Sequence, residues 1–311
     1  MRNAFAKQIT ELARQDERIV VLSGDIGNRL FDDLKAKCPG RFINCGVAEA
    51  NMIGVAAGLA LSGLRPVCYT ITPFLTYRCM EQIRVDICYH HLPVVLVGTG
   101  SGLSYASLGA THHSCEEMGM LRLLPGLSVV APADSHEVRA ALKAAVQSPG
   151  PVYMRIGKKG EPDVHASEPN LTLGQAIPVR SGLDVAFLAT GTILPLALAA
   201  AVELETLSVS AAVYSVPTVK PLDVATLGKV FANYRVVATL EEHSVLGGLG
   251  GSVAEWLTDQ IPYPRGRLIR FGTPDEFLHL TCEQEAAREH FHLTPAHLAT
   301  RIRQVLDASP A

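Results

Sequence analysis

Hydrophobic and polar positions along this chain alternate between two rhythms. Short, almost wholly apolar runs read as strands, and longer amphipathic stretches between them read as helices. "RIVVLSGD" (18–25), "RPVCYTI" (65–71), "LPVVLVGTG" (92–100), "LSVVAPA" (127–133) and "PVYMRIG" (151–157) are the strands of the first half. The helices between them are expected over 48–63, 73–90, 116–124 and 135–148, after an amphipathic N-terminal helix. Strands that are apolar on both faces and separated by helices imply a parallel sheet covered on both sides.

The stretch "KKGEPDVHASEPNLTLGQ" (158–175) is polar and carries proline and glycine, as a join between domains should. A second α/β series follows, from "LDVAFLATG" through "LSVSAAVYSV" and "RVVATLEEH" to "RLIRFG", and residues 282–306 read as helical. The expected fold class is therefore α/β with two domains, each a largely parallel sheet covered by helices. Their expected extents are 1–165 and 181–311, with 166–180 as linker. No internal repeat or low-complexity tract is present.

Composition narrows the partners. The 311 residues suit about two domains of ordinary size. A net charge of −3 provides no broad basic field, so neither nucleic acid nor an anionic membrane is an expected partner. No apolar run approaches the roughly 20 residues that span a bilayer. The N-terminus lacks the apolar core of a signal peptide. Seven cysteines without a C-x-x-C pair indicate neither a zinc site nor a disulfide framework. A reducing cytoplasm is the expected location.

The chemistry concentrates first in "RFINCGVAEANMIGVAAGLALSG" (41–63), where Glu49 stands at the edge of a small, apolar run. A carboxylate there is either a first-turn residue favoured by the helix dipole or the partner of something bound. The neighbouring motifs bear on the choice. "GVAEANMIGVAAGLALSGLRPV", "PFLTYRCMEQIRVDICYHHLPVVLV", "LGATHHSCEEMGMLRLLPGLSVVAPAD", "YMRIGKKG" and "LEEHSVLGGLGGSVAE" occur in order along nearly the whole chain. Together they resemble the pyrimidine-binding and C-terminal domains of the transketolase family. The likeness extends to the C-terminal half of 1-deoxyxylulose-5-phosphate synthase.

That resemblance implies thiamine diphosphate as cofactor. Glu49 would hydrogen-bond the aminopyrimidine nitrogen N1′, a task suited to a partly buried carboxyl of raised pKa. Phe74 and Tyr77 would pack on the ring, whereas Met80 stands where a third aromatic is common. Arg78 and Arg84, on the same helix, are expected to be solvent-exposed. His112 would face the reacting centre and the substrate's oxygens, while the role of His113 stays open. Arg155 would grip a substrate phosphate or carboxylate through its bidentate fork, with Lys158 and Lys159 reinforcing the anion site. Asp25, after the first strand, would lie near the cofactor, and Glu241, Glu242 and His243 would contact a neighbouring subunit.

Two departures concern the substrate. The family commonly has an acidic residue four positions before the histidine and another histidine twelve before it; here these are Leu108 and Gly100. Leucine cannot accept a sugar hydroxyl's hydrogen bond, and burying that hydroxyl unpaired costs about 1–3 kcal/mol. The donor is therefore expected to differ from a standard ketose phosphate.

The family's diphosphate motif is G-D-G followed about 25–30 residues later by asparagine, which together hold magnesium and phosphate. In "SGDIGN" Ile26 replaces the second glycine, and Asn44 comes too soon. "GGLGG" (247–251) lacks a phosphate loop's spacing and lysine. The expectation is a C-terminal (β) subunit that acts with a separate N-terminal, diphosphate-binding subunit in an α2β2 assembly. That partner would bind most of the magnesium (or calcium). Such a complex would transfer a two-carbon ketol unit from a sugar-like ketose donor to an aldehyde. The alternatives are the β subunit of a decarboxylating 2-oxo-acid dehydrogenase and a non-catalytic paralogue.

Overall fold

The computed structural model describes residues 1–27, 29–158 and 160–308. Among these residues twelve strands form two sheets. They are Ile19–Ser23 (β1), Phe42–Asn44 (β2), Arg65–Ile71 (β3), Val95–Thr99 (β4), Ser128–Val130 (β5) and Val152–Ile156 (β6) in the first half. Ile177–Arg180 (β7), Val185–Thr190 (β8), Ala211–Ser215 (β9), Thr218–Lys220 (β10), Val236–Ser244 (β11) and Arg267–Thr273 (β12) follow.

The first sheet has the order β10-β5-β6-β4-β3-β1-β2, and the second β12-β11-β8-β9-β7. Pairing is parallel except between β10 and β5 and between β7 and β9. Strands β1, β4, β6 and β8 are buried along their whole length. Helices on both faces account for this, and explain why these strands read as unbroken apolar runs.

The helix Ser135–Gln147 shows how sequence sets an element. Asp134 caps it by accepting from the backbone N–H groups of His136 and Glu137 at 2.9 and 2.8 Å. Val138, Ala141, Leu142 and Ala145 then repeat at helical spacing and are buried.

Three features differ from the pattern-based reading. Residues 73–90 do not form one helix. Thr72–Thr76 and Met80–Gln82 are separate helical turns, followed by a π-turn over Ile83–Cys88. The Thr76 hydroxyl donates to the Thr72 carbonyl at 2.9 Å and the Cys79 thiol to that of Phe74 at 3.5 Å, and such side-chain competition bends helices. The helical C-terminal stretch is likewise divided, into Gln284–His290 and Pro295–Ala308, with proline opening the second helix.

The two halves are also stitched together. β10 comes from the second half yet pairs with β5 and completes the first sheet. The segment read as linker ends in β7, a strand of the second sheet. Its approach is pinned by His165, whose Nδ1 lies 2.9 Å from Asp134 Oδ2.

Candidate active site

A short relay positions Glu49 at the C-terminal edge of the first sheet, where open α/β sheets place ligands. Asp25 follows β1 in the left-handed region, φ +58°, and accepts from Asn44 Nδ2 at 2.8 Å. Asn44 Oδ1 accepts from the Gly46 backbone N–H at 3.0 Å, and the helix Glu49–Leu61 starts three residues later. The Glu49 side chain lies over Gly24. A Cβ there would stand 3.4 Å from Glu49 Cγ and 3.0 Å from Thr70 Oγ1, so a larger residue would crowd the carboxylate.

Glu49 is only 4 % exposed. Its partner is Arg78, whose Nη1 donates to Glu49 Oε2 at 3.2 Å. The same guanidinium lies over the Phe74 ring, 4.0 Å from the centroid. Arg78 was expected to face solvent; it is half-exposed but belongs to the site. A flat, donor-bearing group here touches a carboxylate and an aromatic face at once.

Phe74 meets His112 edge-on, with ring centroids 5.1 Å apart. Tyr105 approaches the same imidazole at 6.0 Å, nearly perpendicular. Burial, with His113 and Arg78 nearby, holds the His112 imidazole below its ordinary pKa, so it is neutral at pH 7. Thr111 Oγ1 lies 2.9 Å from His112 Nδ1. His113 is buried instead, with Nε2 3.3 Å from the Ala106 carbonyl, which gives it a role in holding the loop.

Tyr77 is half-exposed, and its hydroxyl donates to Glu116 Oε2 at 2.5 Å. Partial burial and the nearby Glu117 and Glu116 carboxylates push this phenol well above its ordinary pKa, so it stays protonated. Met80 packs on a hydrophobic core to which both halves of the chain contribute, and Arg84 is exposed. Leu108 is also exposed, in the 3₁₀ turn Ala106–Leu108 that leads to His112.

Arg155 does not stand where the sequence reading put it. It is 5 % exposed, its Nη1 lies 2.9 Å from the fully buried Glu117, and its Nη2 donates to the Glu242 carbonyl at 3.0 Å. Both ends of its fork face protein. Lys158, two residues beyond β6, carries its ammonium 5.2 Å from the Tyr105 ring centroid. Lys159 lies outside the described residues.

Glu241, Glu242 and His243, expected at a subunit contact, are buried, and their side chains make contacts within this chain. Glu241 accepts from the Leu249 and Gly250 backbone at 2.7 and 2.8 Å. Glu242 Oε1 accepts from the Leu103 N–H at 2.6 Å, and its Oε2 pairs with Arg288 at 2.5 Å. His243 Nε2 accepts from the Gly119 N–H at 3.2 Å while Nδ1 lies 2.8 Å from the Ser244 carbonyl, a pattern that places the proton on Nδ1. Glu242, through Leu103, and His243, through Gly119, tie the second domain to the first.

Among the described residues no three or more His, Cys, Asp or Glu side chains are grouped to hold a metal ion. None of their helices is long and apolar enough to cross a membrane.

Comparison with known proteins extends this geometry. Residues 1–161 match the family described as "Transketolase, pyrimidine binding domain", and residues 174–298 match "Transketolase, C-terminal domain". The chain is 36% identical to a subunit of the apulose-4-phosphate transketolase of Phocaeicola vulgatus, over 88% of each chain. It is also 36% identical to the 6-deoxy-6-sulfo-D-fructose transketolase subunit SqwH of a Clostridium species, over 99% of this chain and 94% of that one. A solved split-gene transketolase, described as an inactive beta4 tetramer, superposes with a TM-score of 0.88 at 34% identity, covering 98% of this chain and 97% of that one.

Proposed function

This chain belongs to the transketolase family, and on that premise we propose that it is the C-terminal subunit of a split, thiamine-diphosphate-dependent transketolase. With a separate N-terminal subunit it transfers a two-carbon ketol unit from a ketose-like donor to an aldehyde. The support for a split enzyme is that the relatives above, matched over most of their length, are themselves named as subunits or as a split-gene product. We propose an α2β2 assembly, with the N-terminal subunit holding the diphosphate and most of the magnesium or calcium. We place the enzyme in the cytoplasm, where its unpaired cysteines stay reduced.

The observation that carries the reading is the Arg78 guanidinium. It donates to the buried Glu49 and lies over Phe74, the two contacts an aminopyrimidine ring needs. The residues therefore fit the group, which Glu49 and Phe74 would hold. When bound, thiamine diphosphate supplies the carbon nucleophile that carries the two-carbon unit. Glu49 would hold the aminopyrimidine through a hydrogen bond to N1′, and Phe74 would pack on the ring. Tyr77, held by Glu116, flanks the same pocket, and Asp25 acts through Asn44 to set the turn before Glu49. His112, neutral at pH 7, takes or returns a proton at a substrate oxygen. Lys158 holds the anionic end of the substrate.

Reconstitution tests this reading. The chain mixed with its N-terminal subunit should transfer a two-carbon unit to ribose 5-phosphate, followed by mass spectrometry, and neither subunit should do so alone. Turnover by this chain alone, or release of carbon dioxide from a 2-oxo acid as the main reaction, would refute it. Within the complex, His112→Ala should lower kcat by about 100-fold or more, the range for a lost general acid–base group. Cofactor affinity should hardly change, as titration calorimetry would show. An equal loss of cofactor binding would move His112 into the ring pocket.

A further inference from the structure

The wall between His112 and Lys158 is built in an unusual way. Gly100 has φ +77°, and its backbone N–H donates to the Ile156 carbonyl at the end of β6 at 2.9 Å, so the chain is fixed there. A Cβ on Gly100 would stand 1.8 Å from Tyr105 Cε2 and 2.1 Å from Cδ2. The tyrosine ring thus fills the volume that any side chain at position 100 would occupy. Tyr105 is 8 % exposed, its ring meets His112 edge-on, and Lys158 lies over it.

We propose that Tyr105 determines donor specificity, selecting anionic ketoses that lack a hydroxyl on C4. The inference rests on the transketolase reading. A donor that reaches from His112 to the Lys158 ammonium must pass the Tyr105 ring, because both groups contact that ring. The C3 hydroxyl cannot be the one excluded. When C2–C3 breaks, its electron pair stays with the two-carbon unit, and the C3 hydroxyl gives up its proton to become the aldehyde of the departing fragment. C4 is the next carbon along. An aromatic face offers a hydroxyl there no full hydrogen bond, and stranding it should cost roughly 10- to 100-fold in kcat/KM.

The test compares two donors on the assembled complex, xylulose 5-phosphate and its 4-deoxy analogue. The wild type should favour the 4-deoxy donor by about tenfold or more. Tyr105→Phe should keep that preference because the ring remains, and Tyr105→Ala should lose most of it while binding thiamine diphosphate as tightly as the wild type. A wild-type preference for xylulose 5-phosphate overturns the inference, and so does a ratio that Tyr105→Ala leaves unchanged. If Tyr105→Ala does not fold, the wild-type ratio decides alone. A complex that transfers no ketol unit from any donor overturns the transketolase reading and this inference with it. An active complex with the wrong ratio overturns this inference only.

Discussion

Glu49→Gln in the assembled enzyme is expected to lower turnover by about 1,000-fold or more, equivalent to about 4 kcal/mol of transition-state stabilisation. Glutamine has the same shape and can still accept the hydrogen bond from Arg78, so the helix Glu49–Leu61 should form normally. An amide, however, cannot exchange a proton with the ring nitrogen N1′, and that exchange is what the buried carboxyl contributes. The loss should therefore appear in kcat, with cofactor affinity changed far less and the melting temperature near that of the wild type. Stopped-flow turnover and differential scanning fluorimetry on the same preparation separate these effects. A mutant with near wild-type turnover would reduce Glu49 to a helix-start carboxylate paired with Arg78.

Local order was legible in the sequence; direction and long-range pairing were not. The run "RPVCYTI" coincides with β3, and the helix expected over 135–148 forms over Ser135–Gln147, because apolar runs and helical periodicity are short-range signals. The family motifs named Glu49, Phe74, Tyr77 and His112. The structure brings Glu49, Phe74 and His112 together through Arg78 and edge-on ring contacts, with Tyr77 one residue from Arg78.

Arg78 itself was missed because an arginine in an amphipathic stretch reads as a solvated face. Its bond to a residue 29 positions away and its place over the Phe74 ring make it part of the site. Tyr105 was missed for a related reason, since nothing in "SGLSYASLGATHH" says which ring fills the space beside Gly100. The strand β10 is three residues long, and its partner lies in the other half of the chain. Neither fact leaves a periodic trace. Arg155 shows a further limit. In a strand buried on both faces, alternation no longer separates inside from outside, so the side chain's direction cannot be read from its position.

That misplacement yields the second large effect. Arg155→Ala should lower the free energy of unfolding by about 3–5 kcal/mol, the cost of removing one partner from a buried ion pair. Glu117 would be left fully buried beside Tyr153, whose hydroxyl donates to it at 3.3 Å, with no cation to balance it. The Glu242 carbonyl would lose its guanidinium donor as well, loosening the contact between the domains. At about 2–4 °C per kcal/mol for a protein of this size class, the melting temperature should drop by roughly 10 °C. Pairing Arg155→Met with Glu117→Gln should recover much of the loss, because the stranded charge is gone and the methionine fills the space. A double-mutant cycle measures that coupling. The anion-binding role predicts the opposite pattern, a raised KM for phosphorylated donors at unchanged melting temperature. If Arg155→Ala behaves that way, the guanidinium must leave Glu117 to meet substrate. Lys158 would then not be sufficient to anchor the anionic end.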